Sequence, residues 1–405
     1  MIKKEIKAYL DRAPKRYDNA SYLMFIQEVG LPALPPAIHI TGTNGKGSTA
    51  RYLALTLEKS GYRVGLFTSP HYLNINELTT INGVQISDAF IGAQLKKYDK
   101  QFSKYGLSSF EIMTYISFVY FAENHLDFVI IEVGMGGLLD ATNIFTPILS
   151  IITNIALDHT HELGSSLIEI ARHKAGIIKP NRPVLLGNIP PLALEAITQI
   201  AADKKAPIIM NRPNYSIIER SLTSIKFLYE GHNYLIGSGA SYEVSNAILV
   251  INALEILHSQ GIKILEGAFD QALLEDTFPG RFSVVSLNPP VVVDGAHNPH
   301  AMRALLNDLK AFNRHLVVVF AAFKDKDYAQ ELDLLALCGA DIFVTSFDHP
   351  RAKKDYDQAL SFFANHQTAI KHALSTIGEK DLLLIVGSLY FANLVTKEFQ
   401  GGMYV

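Results

Sequence analysis

The sequence predicts an α/β protein of two domains, and three features carry that prediction. The stretch IHITGTNGKGSTAR, residues 38–51, places a glycine-rich turn between an apolar strand and a helix. Apolar runs at 63–68, 128–133 and 147–154 each stop at polar or glycine residues, as buried strands of a largely parallel sheet do. From 291 onward strand and helix patterns alternate through VVVDGAHNPHAM, LVVVFAAFKDKD, DIFVTSFDHPRA and LLLIVGSLYF, the pattern of a second, smaller doubly wound domain. The two domains are expected over residues 1–285 and 290–405.

Taken in order, residues 1–30 carry helical spacing with Tyr9, Tyr22, Phe25 and Ile26 inward, and Leu31 to Pro36 leads into a strand at Ala37 to Thr41. The turn that follows is suited to phosphate. Glycines let the backbone approach an anion, successive N–H groups and the N-terminus of the helix from Ser48 to Ser60 face it, Lys46 adds a full charge, and Ser48 offers a hydroxyl to a metal ion. It is a variant of G-x-x-x-x-G-K-[ST], with a shorter loop from Gly42 and with Gly47 between Lys46 and Ser48.

Arg63 to Thr68 completes a strand–helix–strand unit, and Thr68-Ser69-Pro70-His71 follows at the strand end, where ligands of parallel sheets collect. Ser69 and His71 stand there either for ligand contact or in a solvated proline turn. NINELTTING reads as a loop or hairpin. Ser109 to Asn124 reads as a helix whose Phe110, Tyr115, Phe118 and Phe121 are core, except that Phe110 and Glu111 at its start can instead face a planar ligand.

Glu132 ends an apolar strand, and a buried carboxylate needs a partner; magnesium beside a nucleotide is the natural one. Pro147 to Asn154 runs into LDHT, which puts Asp158 and His159 at a further strand end. The helix Ser166 to Ile177 ends on Arg172-His173-Lys174, either as compensation for the helix dipole or with a lysine whose lowered pKa lets it take up carbon dioxide as an anionic carbamate. Tyr215 to Gly237 reads as a peripheral sheet, Tyr242 to His258 as a helix, and TFPGRF as a turn with an exposed Arg281. Asp294 to Asn298 is either a capped turn or a nucleotide contact.

Composition narrows the function. A net charge of −3 over 405 residues gives no electrostatic reason to bind DNA or RNA. The single cysteine, Cys338, placed in an apolar helical stretch, excludes an internal disulfide and a cysteine metal cluster and fits a reducing cytoplasm. The N-terminus lacks the pattern of a signal peptide, and the most apolar region, 128–157, is broken by Glu132, Asp140, Asn143 and glycines, so no membrane span is expected.

In their order, TGTNGKGS, TSPH at 68–71, EVGMGG at 132–137, LDATN at 139–143, LDHT at 157–160, HKAGIIK at 173–179, FPGR at 278–281, DGAHNPHAM at 294–302, FKDKD at 323–327 and GSLYF at 387–391 span most of the chain. Together they resemble the Mur-ligase superfamily and, within it, the folylpolyglutamate synthases and dihydrofolate synthases. The resemblance implies a P-loop-type Mur-ligase central domain and a Rossmann-like C-terminal domain. It also implies ATP-dependent joining of L-glutamate to a folate or dihydropteroate carboxylate, with two magnesium ions at a cleft between the domains.

Matched by position, the resemblance assigns Thr43, Asn44, Gly45, Lys46, Gly47 and Ser48 to the ATP phosphates. It gives Ser69, Glu132 and His159 to magnesium and makes Lys174 a carbamylated lysine, so that Lys46, His159 and Lys174 form the catalytic set. Asn246, Arg281, Asp294 and His297 meet the nucleotide, and Pro70, His71, Phe110 and Asp140 face the acid substrate. A monomer is expected.

The residue types suit that chemistry. A carboxylate is a poor electrophile, so ATP converts it to an acyl phosphate, and the glutamate amine then attacks; cations offset the charge on the transferring phosphoryl group. Leu78, Leu138 and Ser241-Tyr242 depart from the family pattern of Arg, Arg and His-Gln, each with the loss of a polar group, and so bear on substrate contacts. Two other readings compete: a Mur-type ligase for another substrate, and a nucleotide-binding regulatory protein without turnover.

Overall fold

A computed structural model of the chain describes residues 3–11, 13, 18–71, 74–275, 279–326, 328–356 and 360–404. Phe278 of FPGR and Asp327 of FKDKD lie outside them. Two compact units result, Met1–Pro213 with Asn246–Ala272, and Asn214–Ser245 with Leu273–Val405. The chain passes between units after Pro213, Ser245 and Ala272, where the sequence suggests one passage near 286–290.

The first unit is built on one sheet. Its strands are β1 (Ala37–Thr41), β2 (Val64–Phe67), β3 (Thr79–Ile81), β4 (Val84–Gln85), β5 (Phe128–Glu132), β6 (Leu149–Asn154), β7 (Val184–Asn188) and β8 (Ile208–Met210), in the order β4-β3-β2-β5-β1-β6-β7-β8. From β2 to β8 the pairing is parallel; β3 and β4 add an antiparallel hairpin turned at Asn82-Gly83. β1 and β5 are buried at every position, as their unbroken apolar runs require.

The helix Lys46–Lys59 packs on β1, β2 and β5, and the aromatic residues of Ser109–Glu123 pack with the N-terminal helices around Phe25, whose ring meets Tyr115 edge-on at 4.8 Å. Tyr22 and Phe25 are fully buried, and Tyr9 and Ile26 partly so. Among the described residues no helix is long and apolar enough to cross a membrane.

His39, in the middle of β1, is fully buried. Thr142 spends its one hydroxyl hydrogen on Asp140 at 2.5 Å, so His39 Nε2 is the donor in its 2.9 Å bond to Thr142 Oγ1, and Nδ1 carries no hydrogen. Burial, with help from the Lys179 charge, pushes the imidazole down to about 3. Unfolding lets it protonate below its ordinary value near 6.5, so the unfolded chain binds more protons and stability falls as pH drops from about 6.5 toward 3. Urea unfolding at pH 7 and pH 5 should show His39→Asn losing less stability on acidification than the parent, by up to about 1.4 kcal/mol per pH unit. An equal loss in both would contradict this account.

The second unit holds an antiparallel three-stranded sheet, β9 (Tyr215–Arg220), β10 (Ile225–Tyr229) and β11 (His232–Ile236), in the order β11-β10-β9. Its second sheet contains β12 (Ser283–Leu287), β13 (Pro290–Val293), β14 (His315–Phe320), β15 (Asp341–Thr345), β16 (Ser361–Phe363) and β17 (Asp381–Val386), ordered β12-β13-β17-β14-β15-β16. All its pairs are parallel except β12 with β13. Cys338 is exposed just past the helix Tyr328–Leu337, a correction to its placement within the helix; Gly339, at φ 72°, ends the turn.

Candidate active site

The chain runs from β1, in the interior of the large sheet, straight into the glycine turn, so the turn stands at the carboxyl edge where β2, β5 and β6 also end. Gly45 caps the helix Lys46–Lys59 with φ 79°, a left-handed conformation that favours glycine. A Cβ on Gly45 would come 2.3 Å from Asn246 Oδ1, so the Asn246 amide lies directly on the loop. Lys46 Nζ donates to the carbonyls of Gly42 at 3.1 Å and Thr43 at 3.2 Å. Ser48 is buried in the first turn of the helix, whose leading N–H groups have no intrahelical acceptor.

Lys174 reaches the same place from another element. Its Nζ donates to Gly42 O at 2.8 Å, so two lysine amines share one carbonyl. The side chain is almost fully buried; burial above all, then the neighbouring Lys46 charge, holds the amine well below the usual lysine range, against opposing pulls from Asp158 and Asp140. The helix Leu167–Ala175 delivers it by docking its end on the GMGG loop. A Cβ on Gly137 would sit 2.8 Å from His173 O, and Leu138 N–H donates to that same carbonyl at 2.7 Å. Thr41 Oγ1 ties the loop to β1 through Gly136 O at 2.6 Å.

Glu132, at the end of β5, is 3% exposed, and its Oε2 accepts the Ser69 N–H at 2.9 Å. These two predicted metal residues therefore meet. His159 follows β6 with an exposed ring and φ 50°, and its N–H is held by Asp158 Oδ1 at 2.8 Å. Among the described residues no three His, Cys, Asp or Glu side chains cluster as a metal cage. A buried carboxylate beside a serine suits magnesium, which takes few protein ligands and completes its shell with phosphate oxygens and water, whereas His159 is tied to Asp158.

Pro70 and His71 are exposed beside this edge. Phe110 is half-buried against Gly134, where a Cβ would meet its ring at 2.5 Å, and lies 5.9 Å from the Phe67 ring. Asp140, expected as a substrate contact, is 4% exposed, and its oxygens accept Met135 N–H, Thr142 N–H and the Thr142 hydroxyl, so it braces the loop. The sequence did not single out Thr153 or Asn154 as site residues; both bond the phosphate loop at Asn44.

In the second unit, Asp294 follows β13 and is likewise spent internally. Oδ1 accepts Ala296 N–H at 2.7 Å, while Oδ2 accepts Phe282 N–H at 2.8 Å and the Tyr242 hydroxyl at 2.5 Å. These bonds hold Phe282 and Ala296 to one carboxylate, beside Arg281 and His297. Arg281 is half-buried, not exposed. His297 Nδ1 donates to Gly295 O at 2.8 Å, which fixes the ring.

The departures from the family pattern also take a different meaning. Tyr242 bonds Asp294, and Ser241 bonds Asp308 through N–H and hydroxyl at 2.8 and 2.6 Å, so both residues of that pair make polar contacts. Leu78 is 3% exposed in the core, whereas Leu138 is 48% exposed.

A phosphate loop, a carboxylate beside it and a buried lysine at one sheet edge define a ligase of the Mur type, and the model of the Mur ligase middle domain matches residues 40–253 while that of the Mur ligase glutamate ligase domain matches 280–389. The dihydrofolate synthase/folylpolyglutamate synthase of Bacillus subtilis (strain 168) is 38% identical over 391 residues, 90% of either chain. The Mycobacterium tuberculosis folylpolyglutamate synthase complexed with ADP and AMPPCP superposes with a TM-score of 0.86 at 26% identity, covering 98% of both chains. A bifunctional folylpolyglutamate synthase/dihydrofolate synthase with Mn, AMPPNP and L-glutamate bound gives 0.83 at 28% identity and 97% coverage of both. The chain belongs to the dihydrofolate synthase/folylpolyglutamate synthase family.

Proposed function

We propose that this chain joins L-glutamate to a folate or dihydropteroate carboxylate in an ATP-dependent reaction that passes through an acyl phosphate. The observation that carries the reading is the pair of lysine amines, Lys46 and Lys174, converging on the Gly42 carbonyl at the head of the phosphate loop. The Lys46 ammonium calls for an anion beside it, and the buried Lys174 amine, disposed to the neutral form, stands at the same point.

In this reading the loop from Thr43 to Ser48 binds the phosphates and Asn246 closes over Gly45. Lys46 leaves its loop carbonyls to offset charge on the phosphoryl group as the carboxylate oxygen attacks it and its bond to the β-phosphate oxygen breaks, releasing ADP. The glutamate amine then displaces phosphate from the activated carbonyl, forming the amide bond. Ser69, Glu132 and His159 would hold magnesium in two sites, with a carbamate on Lys174 as a further anionic ligand; the ions would supply charge neutralisation. Pro70, His71 and Phe110 lie on the side proposed for the acid, and Arg281 and His297 are the second unit's nucleotide candidates. A cytoplasmic monomer completes the proposal.

Phosphate release from ATP, measured with glutamate and dihydropteroate, dihydrofolate or a reduced folate, tests it. Release is expected only with both carbon substrates and a divalent metal, and the preferred acid identifies the acceptor. No release with any of the three acids would overturn the substrate class.

A further inference from the structure

The phosphate loop is fastened to the end of β6 by a set of bonds around one peptide. Asn44 N–H donates to Asn154 Oδ1 at 2.9 Å, and Asn44 O accepts from Thr153 Oγ1 at 2.6 Å and Asn154 Nδ2 at 3.2 Å. The preceding residue repeats the pattern: Thr43 N–H donates to Asn154 O at 3.1 Å, while Thr43 Oγ1 donates to Ala156 O at 3.1 Å and accepts Ala156 N–H at 3.0 Å. A Cβ on Gly42 would come 1.8 Å from Thr153 Oγ1, so the hydroxyl occupies space that only a glycine leaves open.

We infer that Thr153 and Asn154 are positioning residues for the nucleotide, acting through Asn44; the inference rests on the loop being the ATP site. Their bonds spend the polar groups of the Asn44 peptide, which leaves the N–H groups from Gly45 onward, at the helix N-terminus, for an anion. The loop's curvature is set by these side chains and not by its own sequence alone. Because β6 continues directly to Asp158 and His159, one backbone segment fixes both the phosphate cradle and the proposed metal-side histidine.

The test compares Thr153→Val, which keeps the shape and loses the donor, with Thr153→Ser, which keeps the donor, and with Asn154→Ala. The readouts are the Kd for AMPPNP by calorimetry, KM for ATP and for glutamate, and Tm. Thr153→Val and Asn154→Ala should weaken nucleotide binding and raise KM for ATP by about tenfold, the usual order for a lost buried bond, with KM for glutamate unchanged. Thr153→Ser should bind as the parent does. Should Thr153→Val not fold, Asn154→Ala, at a half-buried position, decides the same question. Parental nucleotide binding in the Val and Ala variants, or equal rises in both KM values in proportion to lost Tm, overturns the inference. Normal nucleotide binding by Lys46→Ala would instead sink the reading of the loop itself.

Discussion

Lys46→Ala should lose ligase turnover by roughly 10²–10³-fold or more while its melting temperature stays at the parental value, the outcome expected of a side chain proposed to serve the reacting phosphoryl group and not the fold. Lys46 Nζ donates to the loop carbonyls of Gly42 and Thr43. The loop's shape comes instead from the left-handed Gly45 and from the bonds that tie Thr43 and Asn44 to the end of β6. Removing the ammonium also removes one of the influences that lower the Lys174 pKa. Steady-state turnover and a thermal melt check the claim together. Near-parental turnover at an unchanged melting temperature would refute the assignment of Lys46.

Lys174→Ala should impair turnover to a similar degree, and the loss should be partly reversed by added short-chain carboxylic acids. The buried amine sits against Gly42 O, and its burial together with the nearby Lys46 favours the neutral form. A neutral amine adds carbon dioxide, forming an N–C bond and releasing one proton, and the product is an anion. That anion removes the repulsion with Lys46 and suits a site for magnesium, where an ammonium would oppose it. A small carboxylate diffusing into the space left by the alanine can stand in for the missing group. Intact mass showing plain lysine in an active preparation, with bicarbonate without effect, would sink the carbamate while leaving the ligase reading in place.

The parts of the site legible in the sequence are those whose chemistry is local. Gly45, Lys46 and Ser48 advertise a phosphate loop within a few residues, and Glu132 is conspicuous as a charge closing an apolar strand. The clamp by Thr153 and Asn154 is invisible because it acts across more than a hundred residues on a backbone peptide. Asp140 and Asp294 show the opposite failing: a carboxylate in a glycine-rich motif serves equally well to gather backbone N–H groups, and only the hydrogen-bond partners tell the two uses apart. The alternation of strands predicted both parallel sheets. Periodicity could not show that the chain enters the second unit at Asn214, long before the boundary suggested near 286, because the strands of β9 to β11 look the same whichever unit they join.

The two margins of the large sheet have a bearing on how the chain behaves in a crowded solution. On one side the last strand is β4, two residues long and antiparallel to its neighbour; on the other it is β8, three residues long. A parallel sheet forms from strands far apart in sequence, so it is slow to complete and vulnerable to capture by a neighbouring molecule while unfinished. Margins this short give an incoming strand almost no ladder to copy once the sheet is complete.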